Sequence, residues 1–299
     1  MGSKFQLTVV STNEELGHIN IQEAAAEIKR IERLISSWDP DSETSKINRN
    51  AGVGPVVVSN ELFKLIERCK QISEITYGAF DISYSGMDHL WDFKGAMTQL
   101  PSSDQIQRAL KKVGYEKIIL NSAAQSVYLQ EKGMKLSFAA IGKGYAVDRA
   151  KELLVSKQVL AGVINAGGDI TTWGTKATGE KWLIGVTHPK SKGKVYAWLP
   201  LLESSVATAE YSDKYLDING KRYAHIIDPR TGYPAEGIHS VSVFSKTAEL
   251  SDALATALVV MGRDAGLALI NQLGGTEVIL VDDKDNLYKS TGILFNENR

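Results

Sequence analysis

A few short stretches of this sequence place groups able to do phosphate and proton chemistry. In SDALATALVVMG, residues 251–262, the carboxylate of Asp252 precedes the hydroxyl of Thr256 by four positions, one helical turn on the same face. Ser251 reads as the N-cap, which puts Asp252 in the first turn. Hard oxygen donors at that spacing suit Mg²⁺, which takes one or two protein groups and completes its shell with water and substrate phosphate. A plainer account is also open: an acid favoured by the helix dipole and a threonine bonded back to a carbonyl.

AAIGKGYAVD, residues 139–148, sets glycines on both sides of Lys143 and then opens a helix. Free N–H groups, close backbone approach and one ammonium would suit a phosphate, although the spacing is neither a Walker loop nor GxGxxG. An exposed lysine in a glycine-rich turn needs the same residues. HIIDPRTG, residues 225–232, brings an imidazole (His225), a carboxylate (Asp228), a guanidinium (Arg230) and a hydroxyl (Thr231) around a turn; taken alone, it reads equally as a strand ending in Asp-Pro and Thr-Gly. INAGGDITTWG, residues 164–174, runs a strand into Gly167-Gly168 and Asp169, where a bulge, a tight turn or a close ligand could each explain the glycines. Trp38, just past a helix end in SSWDPDSETSKIN, could stack on an aromatic ligand or close a core edge. His89, His188 and His239 lack metal-like spacing and read as surface or structural.

The elements that must position these groups follow from apolar periodicity. Helices are expected over about residues 20–36, 60–76, from the Ser102/Gln105 capping box onward, 145–156, 251–261 and 264–273. Strands are expected near the N-terminus, at 117–121 and 126–129, in GVINAG, WLIGVT, VYAWLPL, SSVATA, KRYAHII and HSVSVFS, and in the closing TEVILVD. GAFDISYSGMDHLWDF fits neither period, and a polar loop is expected after residue 36. With no linker, repeat or low-complexity tract, the interleaving predicts α+β, a mainly antiparallel sheet with packed helices, in a single interlocked domain over residues 1–299.

Composition bounds the function. The 299 residues carry 34 Lys+Arg against 35 Asp+Glu, a net charge of −1, so no broad basic field exists to hold nucleic acid or an anionic membrane. Cys69 is the single cysteine, which excludes an internal disulfide and a cysteine-rich zinc site, and its neighbours predict burial. No apolar run is long enough to span a bilayer, and no signal segment is visible at the start.

SSWDPDSETSKIN, TYGAFDIS, LWDF, AAIGKGYAVDRA, INAGGDITTWG, RYAHIIDPRTGYP and SDALATALVVMG occur in the order found in ApbE-type flavin transferases, and the chain resembles that family over essentially its whole length. The resemblance implies Mg²⁺-dependent transfer of FMN from FAD to a threonine or serine of an acceptor flavoprotein, with release of AMP. Some relatives instead hydrolyse FAD to FMN and AMP, and a non-catalytic flavin-binding protein is a third reading. By position, the resemblance implies metal ligands at Asp252, Thr256 and the Ala140 carbonyl, and a nucleotide contact at Lys143. It implies FAD-lining positions at Met1, Trp38, Ala79, Phe80, Asp81, Ile227 and, in the same turn, Thr231. His225 is expected to take the acceptor proton, since imidazole titrates near neutrality, with Asp228 as the other candidate. The chain departs from the family at Thr208-Ala209-Glu210-Tyr211, where a serine and a glycine are usual, so acceptor handling is the property most exposed to change. An extracytoplasmic site of action, anchored at the inner membrane in the precursor, is also implied by the resemblance alone.

Overall fold

Capping chemistry and apolar spacing set the elements of the computed structural model, which describes residues 2–93, 97–187, 195–201, 203–210, 215–218 and 220–294. In chain order come β1 (Phe5–Val9), α1 (Glu14–Ile35), α2 (Glu43–Arg49), β2 (Val56–Val57) and α3 (Asn60–Ile75). A 3-10 helix (Tyr84–Leu90), α4 (Ser103–Leu110), a second 3-10 turn (Tyr115–Lys117), β3 (Ile118–Asn121) and β4 (Ser126–Leu129) follow. Next are α5 (Gly142–Ser156), β5 (Gly162–Ala166), β6 (Asp169–Trp173), β7 (Trp182–Thr187), β8 (Val195–Leu201) and β9 (Ser205–Glu210). The chain closes with β10 (Tyr215–Ile218), β11 (Lys221–Ala224), β12 (Ile238–Ser245), α6 (Ala248–Met261), α7 (Arg263–Ile270), β13 (Glu277–Asp282) and β14 (Leu287–Lys289).

All strand pairings among the described residues are antiparallel, as the α+β reading expects. The residues divide into two compact units: the first holds 1–31, 141–212 and 237–299, the second 32–140 and 213–236.

The first unit is built on a seven-stranded sheet in the order β1-β5-β6-β9-β12-β13-β14. Strand β12, between β9 and β13, is buried at all eight positions because both faces are covered. Ala207, Val241, Val243, Val278 and Leu280 share the face under α6, which lies on β9 and β12 and against α5. On the opposite face Val206, Phe244 and Ile279 cluster with Leu201, Ile184 and Leu199 of the β7–β8 ribbon. The second unit joins α3, α4, the sheet β2-β4-β3 and the hairpin β10–β11; Met87, Trp91, Ile106, Leu216 and Ile218 form one of its cores.

Several boundaries differ from the sequence reading. α1 begins at Glu14 because Asn13 caps it, its side-chain oxygen accepting from Leu16 N at 2.9 Å. The polar loop after residue 36 contains α2, capped by Ser42 accepting from Ser45 N at 2.9 Å. β2, β6, β10 and β14 are not expected as strands from the sequence; each is short, and its pairing partner rather than its own pattern makes it one. The expected capping box forms at α4, with Ser102 and Gln105 each bonding the other's backbone N–H. Cys69 is buried, as its helical neighbours predict. No helix among the described residues is long and apolar enough to cross a membrane.

Candidate active site

The first unit gathers charge where α5 meets α6. α6 begins at Ala248, capped by Thr247, three residues earlier than the sequence suggests. Ser251 is therefore not the cap: it is buried, with its hydroxyl 2.9 Å from that of Ser245. Asp252 lies in the second turn, so the dipole explanation for this acid fails, while Thr256 still stands one turn later on the same face. The carboxylate that answers the α6 dipole is Asp148 of α5, whose two oxygens accept from Ala248 N at 2.9 Å and Glu249 N at 2.8 Å.

The reverse contact completes a clasp. Gly144 N of α5 donates to Asp252 Oδ2 at 3.1 Å, and a Cβ on Gly144 would lie 2.1 Å from the Ala248 carbonyl oxygen. Gly144 with Asp148, and Ala248 with Asp252, are each one turn apart, so two helical faces meet through two reciprocal polar contacts. Glycine is required here for close approach rather than for its backbone freedom.

Lys143 lies in the first turn of α5, which starts at Gly142 and not at Tyr145 as its periodicity suggests. Its ammonium donates to Asp252 Oδ1 at 3.0 Å and to Asp169 Oδ2. Asp169 opens β6 after a two-residue hairpin turn with Gly167 and Gly168 both at positive φ, and it is 2 % exposed.

Two carboxylates thus face one ammonium in a buried setting. Burial pulls the Lys143 pKa down, but the Asp252 and Asp169 carboxylates outweigh it and hold the group charged, above its usual range. Burial, reinforced by the Asp252 charge, pushes Asp169 up to about 7 against the opposing pull of Lys143. Asp148 is raised to about 6 by burial, although its helix N–H partners favour the charged form.

Asp252 is only 5 % exposed, and Thr256 is half-buried. Asp252 and Thr256 offer oxygen donors, the type a hard divalent cation takes, while no group of three or more His, Cys, Asp or Glu side chains among the described residues is arranged to hold a metal ion. Ala140 is the last residue of the second unit, in the turn that leads into α5.

The HIIDPRTG stretch lies in the second unit. β11 ends at Ala224, so His225 stands beyond the strand rather than within it; its ring meets Phe93 edge-on at 6.4 Å. The chain then folds back on itself: Ile227 bridges Pro234, Asp228 N donates to Tyr233 O at 2.8 Å, and Gly232 N donates to Asp228 O at 2.8 Å. Arg230 grips Asp228 with Nε and Nη2, each at 2.9 Å, so both carboxylate oxygens are engaged.

Gly232, at φ 77°, sits where a Cβ would be 2.7 Å from Ile106 Cγ2, and its carbonyl accepts from Trp91 Nε1 at 2.9 Å. Thr231 is exposed, its hydroxyl accepting from Tyr233 N at 3.3 Å. The turn is thereby fixed from several sides, with the His225 imidazole at its start.

Other expected site residues fall differently. Trp38 is 86 % exposed, beyond the end of α1, and closes no core edge. Ala79, Phe80 and Asp81 are buried, and the Asp81 carboxylate is bound by Ser83 N and Ser83 Oγ, both at 2.7 Å. Burial raises the pKa of Asp81. Its side chain is committed to the local fold, with Ser83 Oγ in turn accepting from Gly114 N at 2.8 Å.

Met1, Tyr211 and His188 lie outside the described residues. His89 is exposed and His239 is buried in β12. The departure at Thr208–Glu210 forms the end of β9, where Thr208 Oγ1 lies 2.8 Å from Ser242 Oγ. Sequence reasoning missed Gly144 and Asp148 as a pair and gave Asp169 no role; the four-residue spacing of the first two was the available signal.

Comparison with known proteins identifies the family. The ApbE family profile matches residues 1–280. A protein of Klebsiella pneumoniae named FAD:protein FMN transferase is 32 % identical over 293 residues, covering 97 % of this chain and 90 % of its own length. One of Treponema pallidum with the same name is 29 % identical, covering 93 % of this chain and 81 % of its own length. The crystal structure of the ApbE protein of Thermotoga maritima superposes with a TM-score of 0.89 at 31 % identity, over 97 % of this chain and 94 % of that one. The flavin transferase ApbE of Vibrio cholerae, at 22 % identity and a TM-score of 0.86, shares the fold. A profile match over nearly the whole chain, joined to the same fold, means that the chain belongs to the ApbE family.

Proposed function

We propose that this protein transfers FMN from FAD to a threonine or serine hydroxyl of an acceptor flavoprotein, releasing AMP, with Mg²⁺ as cofactor. The observation that carries the reading is Asp252: a buried carboxylate away from the helix end, with Thr256 one turn on and the Lys143 ammonium beside it. Relatives named FAD:protein FMN transferase over most of the chain point to the same activity. The whole chain is proposed to work as one domain of this family.

In the reaction, the acceptor oxygen forms a bond to the FMN phosphorus, the bond from that phosphorus to the bridging oxygen breaks, and AMP departs with that oxygen. When bound, Mg²⁺ neutralises diphosphate charge and withdraws electrons from phosphorus. Asp252 and Thr256, with the Ala140 carbonyl, would hold it. Lys143 places a permanent positive charge beside the diphosphate, since its carboxylate neighbours keep it protonated. His225 accepts the proton lost by the acceptor hydroxyl; Asp228, gripped by Arg230, shapes the turn instead. Trp38 offers an exposed ring to a flavin or to the acceptor. The family resemblance supports a site of action outside the cytoplasmic membrane.

The test is incubation with FAD, Mg²⁺ and a threonine-containing acceptor protein, followed by mass spectrometry of acceptor and nucleotide. A covalent FMN adduct with free AMP supports the transferase. Free FMN and AMP without adduct would make the protein a hydrolase, and intact FAD a non-catalytic flavin binder.

A further inference from the structure

We propose that Asp169 is a positioning residue that holds the Lys143 ammonium in place while Asp252 serves a cation, a step that rests on the reading of Asp252 and Lys143 given above. Asp252 has competing claims on it: Lys143 on Oδ1, Gly144 N–H on Oδ2, and a divalent cation. A cation drawing on Oδ1 weakens the hold on Lys143 and repels it as a like charge. An ammonium tied to Asp252 alone would either block the metal or be driven from its place beside the diphosphate.

Asp169 removes that conflict. It gives Lys143 a second carboxylate on a separate element, the first residue of β6. That carboxylate is placed by the two-residue turn at Gly167 and Gly168, which opens β6 directly at Asp169. With Asp169 as a second partner, Lys143 keeps an anchor when a cation draws on Asp252.

The sign of the effect on FAD affinity separates positioning from simple charge. FAD is an anion, so deleting a nearby acid should tighten its binding if Asp169 acts through space. If Asp169 positions Lys143, Asp169→Asn weakens FAD binding, by about tenfold, which corresponds to about 1.4 kcal/mol. Binding is read in the full-length protein by flavin fluorescence with Mg²⁺ present, for wild type, Asp169→Asn, Lys143→Gln and the double variant.

The expected pattern is weaker binding in both single variants and no further weakening in the double. Unchanged or tighter binding in Asp169→Asn overturns the inference. So does equal weakening in the Lys143→Gln background, which would make Asp169 a metal ligand or a purely structural group. Should Asp169→Asn fail to fold, Asp169→Glu keeps the charge and shifts the ammonium; wild-type FAD affinity in that variant overturns the inference equally. A wild-type protein that binds no FAD would overturn the functional reading and this inference with it, whereas intact binding in Asp169→Asn overturns this inference alone.

Discussion

Gly144→Ala tests whether the α5–α6 clasp sets the site. The added Cβ would lie 2.1 Å from Ala248 O, 2.5 Å from its carbonyl carbon and 2.8 Å from Glu249 N, all backbone atoms that cannot rotate away. Ordinary contact begins near 3.4 Å, so the helices must part by about 1 Å. Overpacking of this kind costs about 1–3 kcal/mol, and parting the helices also stretches the Gly144 N–H bond to Asp252, a charge-assisted bond worth about 1.5–3 kcal/mol. A combined loss of about 3–5 kcal/mol is a large share of a typical stability of about 5–15 kcal/mol. For a chain of 299 residues it should lower the unfolding midpoint by roughly 5–8 °C. The assay is thermal unfolding beside Gly274→Ala, where a Cβ meets nothing within 4 Å and a change under about 0.5 kcal/mol is expected. A Gly144→Ala midpoint within a degree or two of wild type would show that the helices separate freely and would refute the clasp.

Further outcomes follow from the same geometry. Asp252→Ala should abolish Mg²⁺-dependent turnover and also the rise in unfolding temperature that Mg²⁺ gives the wild type; retention of either sinks the metal assignment. His225→Ala should slow transfer by about 10²–10⁴ while FAD still binds, and lost FAD binding would make the imidazole a ligand contact instead. Trp38→Asn should shift product from adduct toward free FMN, and an unchanged ratio removes the ring from the argument. For Asp148, the folded pKa of about 6 lies above the usual 3.8, so its contribution to stability is full below about pH 4 and is lost as pH rises through 6, roughly 3 kcal/mol in all. Asp148→Asn lacks that dependence, so its unfolding free energy relative to wild type should rise across pH 4–6; a difference that does not vary with pH counts against the burial of this carboxylate.

The catalytic reading changed where tertiary contacts moved helix starts. Ser251 and Asp252 look like a cap and a first-turn acid, a pattern that needs no function. Thr247 and Asp148 take those roles, and Asp252 becomes a buried acid whose cost must be met by other groups. Tyr145 looks like the start of α5 because apolar spacing begins there, whereas the helix starts at Gly142, so Gly144 N–H points to Asp252 and Lys143 is held in a first turn. In the HIIDPRTG turn, residue types identified a proton carrier and a carboxylate, but only the Arg230 grip on Asp228 separates their roles.

By itself, the sequence determined the helices with strong apolar periodicity, the capping box at Ser102, the antiparallel α+β class and the family. Each of these depends on neighbours within a few positions or on the order of motifs. Tertiary structure alone decided that Asp169, Lys143 and Asp252 share one charge cluster and that Asp148 caps a helix 100 positions away. It also decided that Asp81 spends its carboxylate on the local fold. A buried charge takes its role from the partners that compensate it, and those partners come from elements whose spacing along the chain says nothing of their distance in space.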